Sequence, residues 1–244
     1  MFLLFASSSV YAQRDFKRHA GGGIWRHWFV EASIGSNAYF GDISTYDHDP
    51  VNKLKFESKF GYSATLGKWI NDWGAASFTF SSGQFKGLKN ASESQTDFFQ
   101  YTVEGKVNLT QLYFDHDVQS NFYLYAKLGY GLIDFNASYS NINTGDTINI
   151  VGSHSGYNKR VTEWVIPIGF GGTYNIDKNF GIFFDATLNY VNSDKLDARY
   201  DGADDNKKDY YIYLSAGLKY TFSIQDQHGF YKRPVSRRKI RWVR

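Results

Sequence analysis

Eight ionisable residues recur at alternating positions of otherwise apolar or small-residue segments: Glu31, Lys59, Glu104, Lys106, Lys127, Glu163, Asp185 and Lys219. Four are acids and four are bases. Charges on one face of a strand can be kept in a narrow interior only as ion pairs, because a lone buried charge is costly. The chemistry open to them is mutual neutralisation, which fills or gates a passage. Lys59 and Glu163 stand near segment ends, where plain solvation explains them equally well. The predicted lumen network is therefore Glu31, Glu104, Lys106, Lys127, Asp185 and Lys219.

Other chemistry is poorly supplied. His48-Asp49 and His154-Ser155 are the pairs with acid–base potential, and neither has a partner or motif around it. Asp201-Gly202-Ala203-Asp204-Asp205-Asn206 has the composition of a calcium loop without its ligand spacing or distal glutamate. The chain has no cysteine, phosphate loop, metal-ligand spacing or nucleophile elbow. The expectation is no enzyme, no cofactor and no metal. Between Gly229 and Arg244 lie seven bases and no acid: Lys232, Arg233, Arg237, Arg238, Lys239, Arg241 and Arg244. Ile240, Trp242 and Val243 among them favour docking over simple solvation. The expected contact is an acidic envelope protein or anionic lipid headgroups, not nucleic acid.

Period-two alternation divides the chain into eight strand-like segments. They are centred on Trp28–Phe40, Ser58–Ile70, Gly74–Phe85, Phe99–Leu109, Phe122–Leu132, Glu163–Gly171, Phe180–Tyr190 and Tyr210–Phe222. With no helical interlude, the pattern predicts an all-β, eight-stranded antiparallel transmembrane meander β-barrel. Connections alternate in length: tight at 71–73 and 175–179, long at 41–57, 87–97, 138–160 and 191–209, with 112–120 intermediate. Pro167 cannot donate to a ladder, so a local bulge is expected there.

The charges share the polar face, so the apolar face must meet something other than water. A soluble barrel turns apolar residues inward, whereas a membrane barrel turns them out. Aromatic residues make up 19% of the chain, and many sit at segment ends: Trp28, Phe40, Trp69, Trp73, Trp164, Phe180, Tyr190, Tyr210 and Phe222. That is the placement of interfacial girdles, and it favours lipid outside. Inward glycines Gly129, Gly131, Gly169, Gly171 and Gly217 leave room for larger neighbours. Residues 1–12 read as a signal peptide, cut after Ala12, whose missing charged start is the mark of a leader shortened at its front. Residues 13–27 then form a periplasmic segment, 28–222 the barrel and 223–244 a basic periplasmic tail.

Ser215, Gly217, Tyr220 and Phe222 resemble the terminal-strand signal of outer-membrane barrels. Together with Trp28 to Asp42, Leu66-Gly67-Lys68-Trp69 and Gly169 to Tyr174, they are similar to small outer-membrane barrels of Bacteroidetes, including the barrel part of OmpA-like porins. The resemblance implies an outer-membrane lipid environment and insertion by the barrel-assembly machinery. The stretch after Phe222 departs from OmpA-like proteins, and their peptidoglycan-binding domain is not expected here. Asn37 to Ser44 is similar to barrels that accompany type IX secretion and gliding machinery, which implies an accessory subunit. A structural or interaction role is the expected function, with a narrow channel gated by the charge network as the other possibility.

Overall fold

Alternating side chains put each segment's two faces in different media, and the chain satisfies both by closing on itself. The computed structural model describes residues 27–40, 45–46, 49–71, 73–89, 92–113, 121–152, 160–177, 179–193, 196, 198 and 209–222. The strands are β1 (Trp28–Phe40), β2 (Ser58–Trp69), β3 (Gly74–Lys89), β4 (Ser92–Asn108), β5 (Phe122–Asn141), β6 (Thr147–Val151), β7 (Val161–Asn175), β8 (Phe180–Val191) and β9 (Tyr210–Thr221). Eight of them form a closed antiparallel ring, β1-β2-β3-β4-β5-β7-β8-β9, sealed by β9 against β1 from Phe29↔Thr221 to Phe40↔Tyr210. The tight turns are closed by side chains. Asn71 Oδ1 accepts the N–H groups of Trp73 (3.1 Å) and Gly74 (2.5 Å), and Asp177 Oδ1 accepts those of Asn179 and Phe180, both at 2.7 Å.

Several expectations are corrected. Two short helices interrupt the strands: α1 (Pro50–Phe56) between β1 and β2, and α2 (Leu109–Tyr113) after β4. Leu109 therefore belongs to a helix and not to the fourth strand. The span 87–97 is no long loop: β3 runs out to Lys89 and β4 returns from Ser92, paired as far as Lys89↔Ser92. Within 138–160, β5 continues to Asn141 and pairs with β6, the strand outside the ring, through a bulge at Tyr139/Ser140. Pro167 makes no bulge. The β5–β7 ladder lapses between Leu128↔Ile168 and Gly131↔Val165 and resumes in the same register. A Cβ on Gly129 would lie 3.0 Å from Pro167 Cγ, so the glycine makes room for the ring.

The long strands reach past any bilayer. At ~3.3 Å per residue and a tilt of ~40°, the 20 residues of β5 rise ~50 Å, against an apolar band of ~25 Å. The 12-residue β2 matches the band alone.

Side-chain parity never changes along these strands, but the chemistry on each parity does. In the lower half, Ser33, Thr65, Thr79, Gln100 and Glu104 point inward and are buried, while Ile34, Leu66, Phe78, Val103 and Leu218 are exposed outside. In the upper half the inward residues are Tyr39, Phe85, Phe98, Ile133, Phe135, Val165, Val191 and Tyr211, which form one apolar core with Leu196 and Ala198. Outside them are polar groups, including the Lys86–Glu93 ion pair at 2.8 Å and Thr162 donating to Asp134 at 2.5 Å. An aromatic ring marks the level of the change: Phe40 stacks on Tyr210 at 5.2 Å, and Trp164 stands 6.3 Å from both Tyr130 and Tyr190. A second aromatic group, Phe180, Tyr220 and Phe222, lies at the opposite end.

Candidate functional site: the barrel lumen

The lumen begins with a floor at the end where β1 starts. Phe29 and Trp69 pack with centroids 6.0 Å apart, and Trp69 meets Tyr123 edge-on at 6.2 Å. Trp69 thus lies inside the barrel and not in a lipid-facing girdle. It shares the odd parity of Thr65 and Gly67, and Lys68 takes the outward position, 5.6 Å over the Trp28 ring. Gly67 leaves space for Phe29, because a Cβ there would run into Cζ at the tip of the phenyl ring.

Lys219 sits in this aromatic floor. Its Nζ donates to the Tyr123 hydroxyl at 2.5 Å and lies 4.8 Å over Phe29, 5.2 Å over Trp69 and 5.1 Å over Tyr123. Glu31 is its direct partner in register across the β1–β9 seam. Even so, the groups held on the ammonium are a hydroxyl and three π faces rather than a carboxylate.

Above the floor two ion pairs cross the barrel. Lys106 Nζ donates to both Glu31 oxygens, at 2.9 and 2.7 Å, and is flanked by the rings of Tyr125 (4.5 Å) and Phe29 (5.1 Å). Lys127 Nζ is 2.9 Å from Asp185 Oδ1 and 4.0 Å from Glu104 Oε2. Asp185 also accepts from Tyr125 at 2.8 Å and from Thr187, while Glu104 accepts from Thr102 at 2.9 Å. The six predicted residues therefore share one lumen, three carboxylates against three ammonium groups. Lys59 and Glu163 stand nearer the upper rim and are only half-buried.

A hydroxyl and amide layer follows. Ser33 bonds Ser63 (2.7 Å) and Tyr213 (3.2 Å), and Thr65 bonds Thr79 (3.0 Å). Tyr211 then donates to Gln100 Oε1 at 2.5 Å, and Gln100 donates to Asn189 Oδ1 at 2.9 Å. Tyr211 joins two regions, with its ring in the upper apolar core and its hydroxyl in the polar lumen. Between these groups is a void of ≈ 30 Å³, lined by Asn37, Glu104, Gln100, Tyr211 and their neighbours. That suits one or two waters and falls far below the ~300 Å³ of small ligand pockets.

Above the void the apolar core closes the bore. Tyr39 donates to Asp209 at 2.5 Å, Asp209 accepts the Leu196 N–H at 3.1 Å, and Thr96 donates to the Leu196 carbonyl at 2.5 Å. Leu196 and Ala198 are thereby drawn into the mouth.

Sequence reasoning placed the charges but missed their aromatic partners. Phe29, Tyr123, Tyr125 and Tyr211 lie on the same odd parity as Glu31, Lys127 and Lys219, and that shared parity is the signal that could have found them. Of the terminal-strand residues, Ser215 and Gly217 take inward positions, while Tyr220 and Phe222 form an edge-on pair at 5.0 Å. The basic tail from Lys232 to Arg244, the signal peptide, His48, His154 and the 201–206 acidic stretch lie outside the described residues. No trio of His, Asp or Glu among the described residues could hold a metal ion.

Among solved structures the chain is similar to Neisserial surface protein A, at 19% identity over 80% of this chain and 97% of that one, with a TM-score of 0.44. It is also similar to Ail, the attachment invasion locus protein of Yersinia pestis, at 13% identity over 81% and 99%, TM-score 0.44. The N-terminal β-barrel domain of Pseudomonas aeruginosa OprF gives 13% identity over 81% and 98%, TM-score 0.38. No protein-family model and no curated protein matches the chain.

Proposed function

We propose that the protein is an outer-membrane barrel closed to solutes, which serves as a rigid anchor for the structure it raises above the bilayer. The observation that carries this reading is the exchange of chemistry at constant parity. An apolar exterior over a polar bore suits lipid, and a polar exterior over an apolar core suits water. The aromatic ring at the level of the exchange suits the interface between the two. Among the described residues, paired charges, an aromatic floor and an apolar stopper stand in turn across the bore, which supports a barrel closed to solutes.

In this reading the even strand number puts both chain ends on the side of the tight turns, the periplasm. Ser215, Gly217, Tyr220 and Phe222 present the terminal strand to the assembly machinery. Lys232, Arg233, Arg237, Arg238, Lys239, Arg241 and Arg244 then face an acidic envelope partner or the inner leaflet, where each base contributes ~1 kcal/mol near anionic headgroups.

The test is planar-bilayer recording of the refolded full-length chain, with its recovery in the outer-membrane fraction as the companion measurement. The expected result is membrane recovery without unitary conductance. Steady openings altered by Lys127→Ala would replace the closed anchor with a gated channel. Recovery in a detergent-free periplasmic extract would defeat the membrane reading altogether.

A further inference from the structure

Helix α1 is fixed by internal bonds. Asp49 caps its start by accepting the Asn52 N–H at 3.2 Å, and the Glu57 N–H ends it on the Lys53 carbonyl at 2.9 Å. Lys53 and Glu57, one turn apart, form an ion pair of 3.3 Å whose side chains are 1% and 0% exposed. Glu57 also accepts the Thr45 N–H at 2.9 Å.

This buried pair ties the helix to the outside of the wall. Lys53 Nζ stands 3.9 Å over the ring of Phe40, an outward residue of β1 that belongs to the upper aromatic ring. One outward position lower, Ala38 is only 4% exposed, so the wall is covered there. Positions two residues either side of Lys53 lie on the opposite face of a helix. They are Val51, 75% exposed, and Lys55, also exposed. Phe56, three residues from Lys53, sits at the edge of the anchored face; it is 46% exposed, stacked on Tyr46 at 5.7 Å, with Lys55 Nζ 5.1 Å over its ring.

The geometry points to α1 as an interfacial foot that lies on the outer leaflet, with Val51 among the upper acyl chains, Lys55 on phosphate-bearing lipid headgroups and Phe56 at the edge between the foot and the wall. An aliphatic residue and a long-stemmed cation turned outward, with an aromatic at their edge, at the level of an aromatic ring is the pattern of a helix lying in the headgroup plane. On β1 and β2, the two strands it packs beside, the outward residues Ile34 and Phe60 are 62% and 61% exposed, so the same lipid would cover both the foot and this apolar belt. The inference rests on the proposal that this belt faces lipid.

The chain has no native cysteine, so single-cysteine variants can carry a spin label for depth measurement. Full-length Val51→Cys, Val103→Cys in the mid-belt and Ile148→Cys on β6 are labelled and refolded into phosphatidylcholine/phosphatidylglycerol vesicles. Collision with oxygen is compared with collision with a water-soluble nickel chelate. The expected order of depth is 103 in hydrocarbon, 51 at headgroup or upper acyl depth, and 148 in water. Adding Lys55→Glu should shift the label at 51 towards water in these vesicles and not in pure phosphatidylcholine. A label at 51 as nickel-accessible as that at 148, with 103 still in hydrocarbon, overturns the foot and leaves the barrel reading intact. A nickel-accessible 103 overturns the belt itself. An unchanged depth at 51 with Lys55→Glu overturns the headgroup contact.

Discussion

Removing Lys106 should cost more than removing its partner Glu31, and the difference is set by what each leaves behind. With Lys106→Met, the Glu31 carboxylate loses two charge-assisted hydrogen bonds at 2.7 and 2.9 Å. It then stays buried, with Lys219 opposite in register but held on the Tyr123 hydroxyl. Breaking one side of a buried pair costs about 3–5 kcal/mol, and that is the expected loss. With Glu31→Gln, the stranded cation still has the faces of Tyr125 at 4.5 Å and Phe29 at 5.1 Å. Cation–π contacts of ~1–2 kcal/mol in a desolvated site should bring the cost about 1–2 kcal/mol below that of Lys106→Met. The double replacement Glu31→Leu with Lys106→Met removes both charges and should cost less than either single change, since an apolar pair can replace a buried ion pair without loss. Reversible urea unfolding in detergent micelles, followed by tryptophan fluorescence, measures all three. A Lys106→Met cost below about 1 kcal/mol, or a double replacement equal to the sum of single charge removals, would refute the claim that the buried pair neutralises itself.

Three further outcomes are expected. Gly35→Ala would drive a Cβ into the Leu214 carbonyl across the seam, so it should destabilise the barrel by at least the ~1–3 kcal/mol of an overpacked site and leave more unclosed protein on a cold gel-mobility assay. Phe85→Ala, in the upper core, should cost ~3–5 kcal/mol and open the β3–β4 hairpin to protease, while β9 stays protected against hydrogen exchange. The Asp177 carboxyl is held below the usual carboxylate range by the N–H groups of Phe180 and Asn179. Its stabilisation of the β7–β8 turn is therefore full above the unfolded value of ~3.9 and lost as pH falls through the depressed folded value; an NMR titration of its carboxyl carbon in micelles reads this directly, and a midpoint at or above the ordinary value would count against it.

The lower half of the barrel was legible because parity and polarity coincide there, so reading one gives the other. That is why Glu31, Glu104, Lys106, Lys127, Asp185 and Lys219 could be placed on a single face. Above Gln100 the correlation inverts, and a search for apolar-out strands stops. Gly87, Ser92 and Ser94 then look like loop residues although Phe85 and Phe98 continue the inward row. Trp69 misled for a related reason, since a tryptophan at a strand end satisfies the girdle pattern on either face and only strict counting from Gly67 turns it inward. The aromatic seat of Lys219 joins Phe29, Trp69 and Tyr123 from three strands, a proximity that local sequence does not encode. Helix α1 is too short to show a period, and its anchor on Phe40 is a tertiary contact.

The exchange of chemistry midway along the strands also divides the molecule into two independently exchangeable parts. In the proposed membrane placement, the residues below that level are matched to a hydrocarbon surround and those above it to an aqueous one, although the backbone runs through without a break. A chimaera joined at the layer of Gln100, Asn189 and Tyr211 leaves every retained side chain in the medium it was matched to, whereas a join one layer lower would part the lumen charges from the hydroxyl and amide groups above them. Under that placement the part above the exchange level could be replaced while the pattern of the lower staves stays constant. The exchange level also acts as a waterline: moving the barrel vertically by two residues, ~5 Å after tilt, would bring polar groups into hydrocarbon or apolar ones into water.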